Sequence, residues 1–368
     1  MPKAQETLLE IDLKALTHNV AFIKSKLKND TKFLAVVKAF AYGSDAVEIA
    51  KHLEHLGVDY FAVAYIDEGI ALREAGISTP ILVLHPQPFN FKTLIEHCLE
   101  PSLYSQRVLN AFITVAEELK QKNYPIHIKF NTGLNRLGFA EAEIETILSL
   151  LKNSAAIKVK SLFSHLAASE VIEEKAFTLK QINTFTNIAR TITKALGYQP
   201  LLHQSNTSGL LNFPEAHFDM VRSGIGLYGF GNEREFDNYL KPIATLKTVI
   251  SQIHTLKAGD TLGYNRAFKA NTLTKTATLP IGHADGISRQ LGNGKGFVFI
   301  QGKKAPILGN VCMDMIMVDI TTIDCQEGDE VIVFGREHTA EQLSDSINSI
   351  SYEIITAVSQ RVKRVFVR

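Results

Sequence analysis

The stretch 31-TKFLAVVKAFAYGSDA-46 decides how the rest of the chain is read. An apolar run from Phe33 to Val37 ends on Lys38, and Tyr42 and Gly43 follow in one short loop. Five consecutive apolar residues bounded by a turn read as a strand buried on both faces, the kind found in parallel sheets. Most lysines after a strand are solvated surface charges. A lysine that loses its proton is also an amine nucleophile that forms Schiff bases with carbonyl groups. The rest of the chain chooses between these readings.

Similar short runs recur downstream: YFAVA at 60, ILVL at 81, LEPSLY at 99, IHIKF at 126, VKSLFSH at 159, PLLHQ at 200 and FDMVR at 218. Helical patterns alternate with them. LKALTHNVAFIKSKL carries Leu13, Leu16, Val20, Ile23 and Leu27 on one face; DAVEIAKHLEHLG starts at an aspartate and stops at Gly57; AEIETILSLLKN and KAFTLKQINTFTNIARTITKALG are equally periodic. Unbroken βα alternation means a parallel sheet, and eight such units suit a closed (β/α)8 barrel. An open doubly wound sheet is the alternative.

After about residue 240 the pattern becomes strand-like with Gly, Asn and Asp turns, in IATLKTVISQIHTLKAGDTLGY, TLTKTATLPIGHADGI, GKGFVFIQGKKAPIL, MIMVDIT, DEVIVFG and VKRVFVR, with LGNGKG as a hairpin connection. The expected organisation is a barrel over 11–238 and a mainly β domain over 239–368, with residues 1–10 packing on the latter.

Composition bounds the function. The 368 residues are 45% hydrophobic and 21% charged, a globular profile, and the net charge of +1 gives no electrostatic case for nucleic acid or an anionic membrane. No apolar run reaches membrane-spanning length, and the N-terminus lacks the apolar core of a signal peptide. Cys98, Cys312 and Cys325 have no metal-type spacing, so reduced thiols in a cytoplasmic protein are expected.

In a parallel barrel the chemistry sits at the C-terminal ends of the strands. Lys38 follows the first strand there, FNTGLNRLGF with Arg136 the fifth, His165 the sixth, HQSNTSG with Asn206 and Thr207 the seventh, and Arg222 the eighth. Then comes SGIGLYG, whose Gly224, Gly226 and Gly229 spell G-x-G-x-x-G. A dinucleotide fingerprint must open a helix inside a βαβ unit, and FGNEREFDN has no apolar helical face. Glycines after the last barrel strand suit a phosphate held by backbone N–H groups instead. Lysine, phosphate cradle and arginines together suggest pyridoxal 5′-phosphate, with Lys38 on its aldehyde. Tyr42, Thr207 and the amides of Gly224 and Ile225 would lie on its phosphate, and Arg222 at its ring nitrogen. A guanidinium has no acceptor, so it does not favour a protonated ring nitrogen; the weaker electron sink suits return of a proton to the same carbon.

AVVKAFAYG, FNTGLNRLGF, HQSNTSG, FDMVRSGIGLYG, LGYNRAF, LPIGHADGISR and GNVCMDMIMVDIT, in that order, resemble alanine racemase over essentially the whole chain. The resemblance implies a (β/α)8 barrel plus a C-terminal β domain, and a cytoplasmic homodimer with shared active sites. It implies two-base interconversion of L-alanine and D-alanine, supplying D-alanine for peptidoglycan. Lys38 would be one base and Tyr264, from the partner subunit, the other. Arg136 would meet cofactor and substrate carboxylate, His165 would pack on the ring, Tyr352 would join Tyr42 at the phosphate, and the Met313 N–H would meet the substrate carboxylate beside Asp314. Lys129 stands where some members carry a carbamylated lysine. The chain departs from the family pattern at Phe40, at Gly43, Ser44 and Asp45, at Asn131, and at His283 and Asn310 near the substrate channel. A broad-specificity racemase is a variant of this reading. A decarboxylase on the same plan would pair the ring nitrogen with an acid, and a cofactor carrier with a bare barrel would lack the C-terminal region and Tyr264.

Overall fold

The computed structural model describes residues 6–232 and 234–368. They form two compact units: one holds Thr17–Ala41 and Ala46–Leu240, the other the chain up to Leu16, Tyr42–Asp45 and Lys241–Arg368.

β1 (Leu8–Asp12) belongs to the second of these. The first is built on β2 (Lys32–Val36), β3 (Tyr60–Val63), β4 (Ile81–Val83), β5 (Glu100–Leu103), β6 (Tyr124–Lys129), β7 (Ile157–Phe163), β8 (Leu201–His203) and β9 (Met220–Ser223). These are the eight expected runs. Their residues are buried almost throughout because helices cover the outer face while side chains fill the interior. The hydrogen-bonded order is β8-β7-β6-β5-β4-β3-β2-β9, every pair parallel. The order runs sequentially and returns β9 beside β2, with no reversal point; a doubly wound sheet is thereby excluded.

Between β8 and β9 a side chain does the work of a ladder. Asp219 N–H donates to Leu202 O (3.0 Å) and Leu202 N–H donates to Asp219 Oδ2 (2.8 Å). The same exchange recurs at β2, where Asp59 N–H donates to Phe33 O (2.9 Å) and Phe33 N–H to Asp59 Oδ2 (2.8 Å). An aspartate just before a strand thus satisfies a buried N–H of the neighbouring strand. The opening helix, Leu13–Ser25, buries Leu13, Leu16, Val20 and Ile23; Leu27 lies beyond its end. The helix Lys175–Leu196 stops at Gly197, whose φ of 73° is the left-handed cap that glycine adopts without cost.

The other unit carries β10 (Ala244–Val249), β11 (Gln252–Leu256), β12 (Thr261–Leu262), β13 (Phe268–Lys269), β14 (Thr274–Leu279), β15 (Phe297–Ile300), β16 (Lys303–Leu308), β17 (Ile316–Asp319), β18 (Glu330–Phe334) and β19 (Lys363–Val367). Nine strands form one sheet in the order β11-β14-β17-β16-β15-β18-β10-β1-β19, and β12 and β13 pair separately. β1 lies antiparallel to β10 and parallel to β19. Residues 1–5 of the N-terminal segment expected here lie outside the described residues. Two short helices, Ala340–Asp345 and Ser351–Ala357, interrupt the strands. LGNGKG is not a hairpin connection. Asn293 and Gly294 do turn with φ of 57° and 81°, but the chain before them is helical turn rather than strand, and their N–H groups dock on Gly309 O and Ile307 O (both 2.7 Å). The two-residue hairpin turn lies at Gln301-Gly302, both with positive φ, between β15 and β16. No helix among the described residues is long and apolar enough to cross a membrane.

The seam makes a direct prediction. Asp219→Ala leaves the Leu202 N–H without its acceptor and should lower stability by about 1–3 kcal/mol. Urea denaturation checks it, and an unchanged midpoint would show that the seam needs no side-chain closure.

Candidate active site

Lys38 stands two residues past β2, at the start of an unusual turn. Ala39, Phe40, Ala41 and Tyr42 all take left-handed conformations, with φ of 53°, 56°, 50° and 52°. L-residues pay roughly 1–2 kcal/mol each for this geometry. The turn is tied by Ala41 N–H to Val37 O (3.0 Å) and by Ala39 N–H to Glu68 Oε1 (2.7 Å). Glu68 Oε2 also accepts from the Ala64 (2.7 Å) and Tyr65 (3.1 Å) N–H groups. One carboxylate therefore joins the lysine turn to the start of the next helix. Burial lowers the Lys38 pKa, Arg136 lowers it further, and Glu68 opposes them. The sequence reading missed Glu68: it occupies the third position of the helix Ile66–Glu74, but a Tyr, not the Ser or Thr of a capping box, precedes it.

Around the same barrel end stand Lys129, Arg136, His165 and Arg222. Lys129 ends β6, 7% exposed and 5.7 Å from the Phe163 ring centroid. Burial, then Arg136, Arg222 and Lys38, push its pKa down to about 8. Arg136 rides on a loop closed by the Phe130–Phe139 bridge. Asn131 shapes that loop: its Oδ1 accepts from the Gly133 (3.1 Å) and Asn135 (2.9 Å) N–H groups. An acceptor oxygen is what the position needs, so the departure to Asn leaves the loop intact.

Arg222, on β9, is the most constrained of the group. Its Nη1–H donates to His203 Nδ1 (2.7 Å); its Nη2 donates to Ser164 O (2.8 Å), His165 Nδ1 (3.0 Å) and Gln204 O (3.0 Å). A guanidinium only donates, so both imidazoles accept on Nδ1 and carry their hydrogens on Nε2. Burial, and Arg222 next, hold His165 and His203 well below the ordinary histidine range. Burial and Arg136 bring Arg222 itself down to about 9. His203 lies within the quoted HQSNTSG motif, but nothing in its sequence context separated it from a packed core histidine.

The glycines after β9 make a cradle. Ser223 Oγ and Thr207 Oγ1 lie 3.1 Å apart, and Gly226 N–H donates to Thr207 Oγ1 (3.4 Å). A Cβ on Gly226 would fall 2.8 Å from Thr207 Cγ2 and 2.9 Å from Ser223 Oγ, so only glycine fits. Among the described residues the N–H groups of Gly224 and Ile225, at the head of the helical turn Ile225–Tyr228, find no acceptor. Two adjacent free amides at such a turn fit an anion. Asn206 serves the fold: its Oδ1 caps the helix Thr207–Asn212 through Gly209 N–H (2.8 Å) and takes the Ser169 hydroxyl (2.8 Å).

The remaining candidates belong to the other unit. Tyr42 and Tyr352 lie with ring centroids 6.0 Å apart, and burial, then Tyr352, pushes the Tyr42 phenol up. Gly43 beside them has φ of 84°, and a Cβ there would meet Ile355 O at 2.3 Å. Tyr264 is 71% exposed, on a turn whose carbonyl accepts from Asn310 Nδ2 (3.2 Å). Met313 is 59% exposed; its carbonyl accepts from Ala284 N–H (3.0 Å) next to His283, and Asp314 pairs with Arg361 at 2.6 Å.

Residues 11–231 match the family described as alanine racemase, N-terminal domain, and residues 243–366 match alanine racemase, C-terminal domain. The chain is 37% identical to the alanine racemase of Carboxydothermus hydrogenoformans, over 97% of this chain and 98% of that one. Its structure is similar to that of the Clostridium difficile alanine racemase, with a TM-score of 0.92, 34% identity, and coverage of 99% of this chain and 96% of that one. It is also similar to the alanine racemase of Bartonella henselae with covalently bound pyridoxal phosphate, with a TM-score of 0.90, 29% identity, and coverage of 99% and 100%.

The lowered pKa of Lys129 fixes the sign of a stability effect. Unfolded, the amine binds its proton up to about pH 10.5; folded, it releases it near pH 8. Below pH 8 the buried charge costs on the order of 3 kcal/mol, and the cost fades as pH rises from 8 to 10.5. In dialysed protein and carbonate-free buffer, Lys129→Met should therefore be more stable than the parent by about 1–3 kcal/mol at pH 7, with the gap closing by pH 10. A gap that stays constant between those pH values would show that Lys129 keeps its proton.

Proposed function

The chain belongs to the alanine racemase family, and on that premise we propose that it interconverts L-alanine and D-alanine with pyridoxal 5′-phosphate. What carries the reading is the pair of unpartnered amides on Gly224 and Ile225 at the same barrel end as the Lys38 amine. The donors of the barrel unit fit the group, Gly224 and Ile225 N–H and the Thr207 hydroxyl for a phosphate, and the Tyr42 and Tyr352 phenols would be further donors. Lys38 Nζ would hold the carbonyl carbon, Arg136 the phenolic oxygen, and Arg222 the ring nitrogen through a donor that cannot accept. Bound there, the cofactor supplies an electron sink that acidifies the α C–H of an amino acid.

The residues of the chain do the rest. The depressed pKa of Lys38 lets its amine act as a base at the α-carbon. Tyr264 of the partner subunit would act on the opposite face, and the exposure of Tyr264 and Met313 in their own unit supports a partner covering them. Arg136 and the Met313 N–H would hold the substrate carboxylate. His165, fixed as an acceptor by Arg222, keeps an Nε2–H to offer to the Tyr264 oxygen. Lys129, an amine of lowered pKa among Lys38, Arg136 and Arg222, is suited to carbamylation, which would place an anion among those cations. D-Alanine made in the cytoplasm would feed peptidoglycan.

Chiral analysis of products from L-alanine, with and without added pyridoxal phosphate, tests the activity; no D-alanine from loaded protein would overturn it. The shared site has its own test. Lys38→Ala and Tyr264→Phe should each be nearly inactive alone. Refolded together, about half the dimers would be mixed, each with one intact site of two, so activity should return to about a quarter of the parent. No recovery, with mixed dimers shown to be present, would mean that both bases come from one chain.

A further inference from the structure

The barrel interior holds a hydrogen-bonded file of side chains that runs from Arg222 to Glu100. Arg222 Nη1–H donates to His203 Nδ1 (2.7 Å), His203 Nε2 meets Ser161 Oγ (2.9 Å), Ser161 Oγ meets His127 Nδ1 (2.6 Å), and His127 Nε2 meets Glu100 Oε2 (2.6 Å). His127, Ser161 and His203 are fully buried, and the Glu100 side chain is 12% exposed. Glu100 is the first residue of β5, His127 and Ser161 lie within β6 and β7, and His203 ends β8. In parallel strands that progression runs from the N-terminal mouth of the barrel to the C-terminal one, where Lys38 and Arg222 stand. Barrel interiors are ordinarily layers of branched apolar side chains.

The hydrogens of this file all point one way. Arg222 cannot accept, so His203 carries its hydrogen on Nε2 and donates it to Ser161. The Ser161 hydroxyl is then left to donate to His127 Nδ1, and His127 donates from Nε2 to the Glu100 carboxylate. Every hydrogen between the guanidinium and the carboxylate steps toward Glu100. At the other end, Arg222 has only imidazole nitrogens and backbone carbonyls as acceptors, and no carboxylate among its hydrogen-bond partners. A buried cation without a countercharge is costly, while aligned hydrogen bonds polarise one another in a low-dielectric interior. The T-shaped Tyr60 ring against His127 (6.0 Å between centroids) and the stacked Phe163 ring against His203 (4.8 Å) hold the two imidazoles in line, and the Tyr60 hydroxyl steadies Glu100 Oε2 (3.3 Å).

We propose that Glu100 is the remote countercharge of Arg222, relayed by His127, Ser161 and His203, and that Glu100, His127 and Ser161 are positioning residues for the guanidinium. The part that concerns catalysis rests on the reading of Arg222 as the ring-nitrogen partner. The relay itself does not.

The test uses the holoenzyme labelled with ¹⁵N in histidine and arginine side chains. Glu100→Gln keeps the shape and an acceptor oxygen but removes the charge. Ser161→Ala cuts the file, and Ser161→Thr restores the hydroxyl. The His203 ring N–H and Arg222 guanidinium resonances should move in Glu100→Gln and in Ser161→Ala and return in Ser161→Thr. kcat should fall roughly tenfold in the first two, by analogy with the loss when the outer partners of metal-bound imidazoles are removed. KM should stay within about twofold, and the double variant should lose no more than the larger single loss. If Ser161→Ala does not fold, the near-isosteric Glu100→Gln carries the test alone. Resonances of Arg222 and His203 that ignore the Glu100 charge would overturn the proposal, as would wild-type kcat in Glu100→Gln or losses that multiply in the double variant. Resonances that move in a protein unable to racemise alanine would sustain the relay and sink the function proposed above.

Discussion

Positive charge at one end of the barrel is the constraint on which the rest depends. Burial first, and then the charges of their neighbours, lower the pKa of Lys38, Lys129 and Arg222 there. The nearby carboxylate, Glu68, has both oxygens engaged with backbone N–H groups. A cluster of this kind folds only if its charges are relieved, because burying unpaired cations costs several kcal/mol each. Relief can take three forms: an amine that gives up its proton, an anion that binds, and hydrogen bonds that carry charge away. The weakened hold of Lys38 on its proton follows from burial and then from Arg136, and the same positive charge would draw a phosphate and a carboxylate.

The backbone around Lys38 is arranged to withstand this. Four successive left-handed residues would not persist in an isolated loop. They persist because Val37 O and Glu68 hold the turn on the barrel side, and because Gly43 is fastened by Arg364, whose Nη2 donates to its carbonyl (2.8 Å). Single left-handed residues occur elsewhere in the barrel unit, at Cys98, Lys120 and Phe218, but among the described residues only the segment that presents the amine strings four together. Paired aspartate exchanges at Asp59 and Asp219 finish the strand ends of the barrel.

The barrel was legible because its strands are apolar on both faces and end in polar residues, a pattern that needs no tertiary information. Lys38, Arg136, His165 and Arg222 were legible as strand-end residues of types that converge only if the sheet closes. What could not be read is whatever depends on a partner distant in sequence. Glu68 is an ordinary helix-start glutamate until its oxygen meets the Ala39 N–H, 29 residues away. His203, His127 and Ser161 look like core residues of three separate strands, and register alone brings them together. LGNGKG misled because Asn-Gly forms the same turn whether or not strands flank it, and here the flanking backbone bonds go to 307 and 309. Asn131 stood out as a departure from the family pattern, yet its task in the structure is to accept two N–H groups, which its amide oxygen performs.

The pattern of hydrogens around Arg222 narrows which groups of the barrel unit can move a proton. Arg222 has no lone pair to offer. His165 and His203 are held neutral by burial and by Arg222, with Nδ1 already accepting. Lys129 is withdrawn against the Phe163 ring. Of these groups, Lys38 alone joins a lowered pKa to a place on the strained turn. One base on one face can exchange an α-proton but cannot by itself invert the carbon, because inversion requires a proton delivered from the opposite side. On the proposed reading the second base must therefore come from outside the barrel unit. Tyr264, exposed in its own unit beside the turn formed by Gly263 and Asn310, is the phenol that such a requirement would select. The fixed acceptors around Arg222 thus leave Lys38 as the base that the barrel unit offers on one face, and on the proposed reading the partner subunit would supply the other.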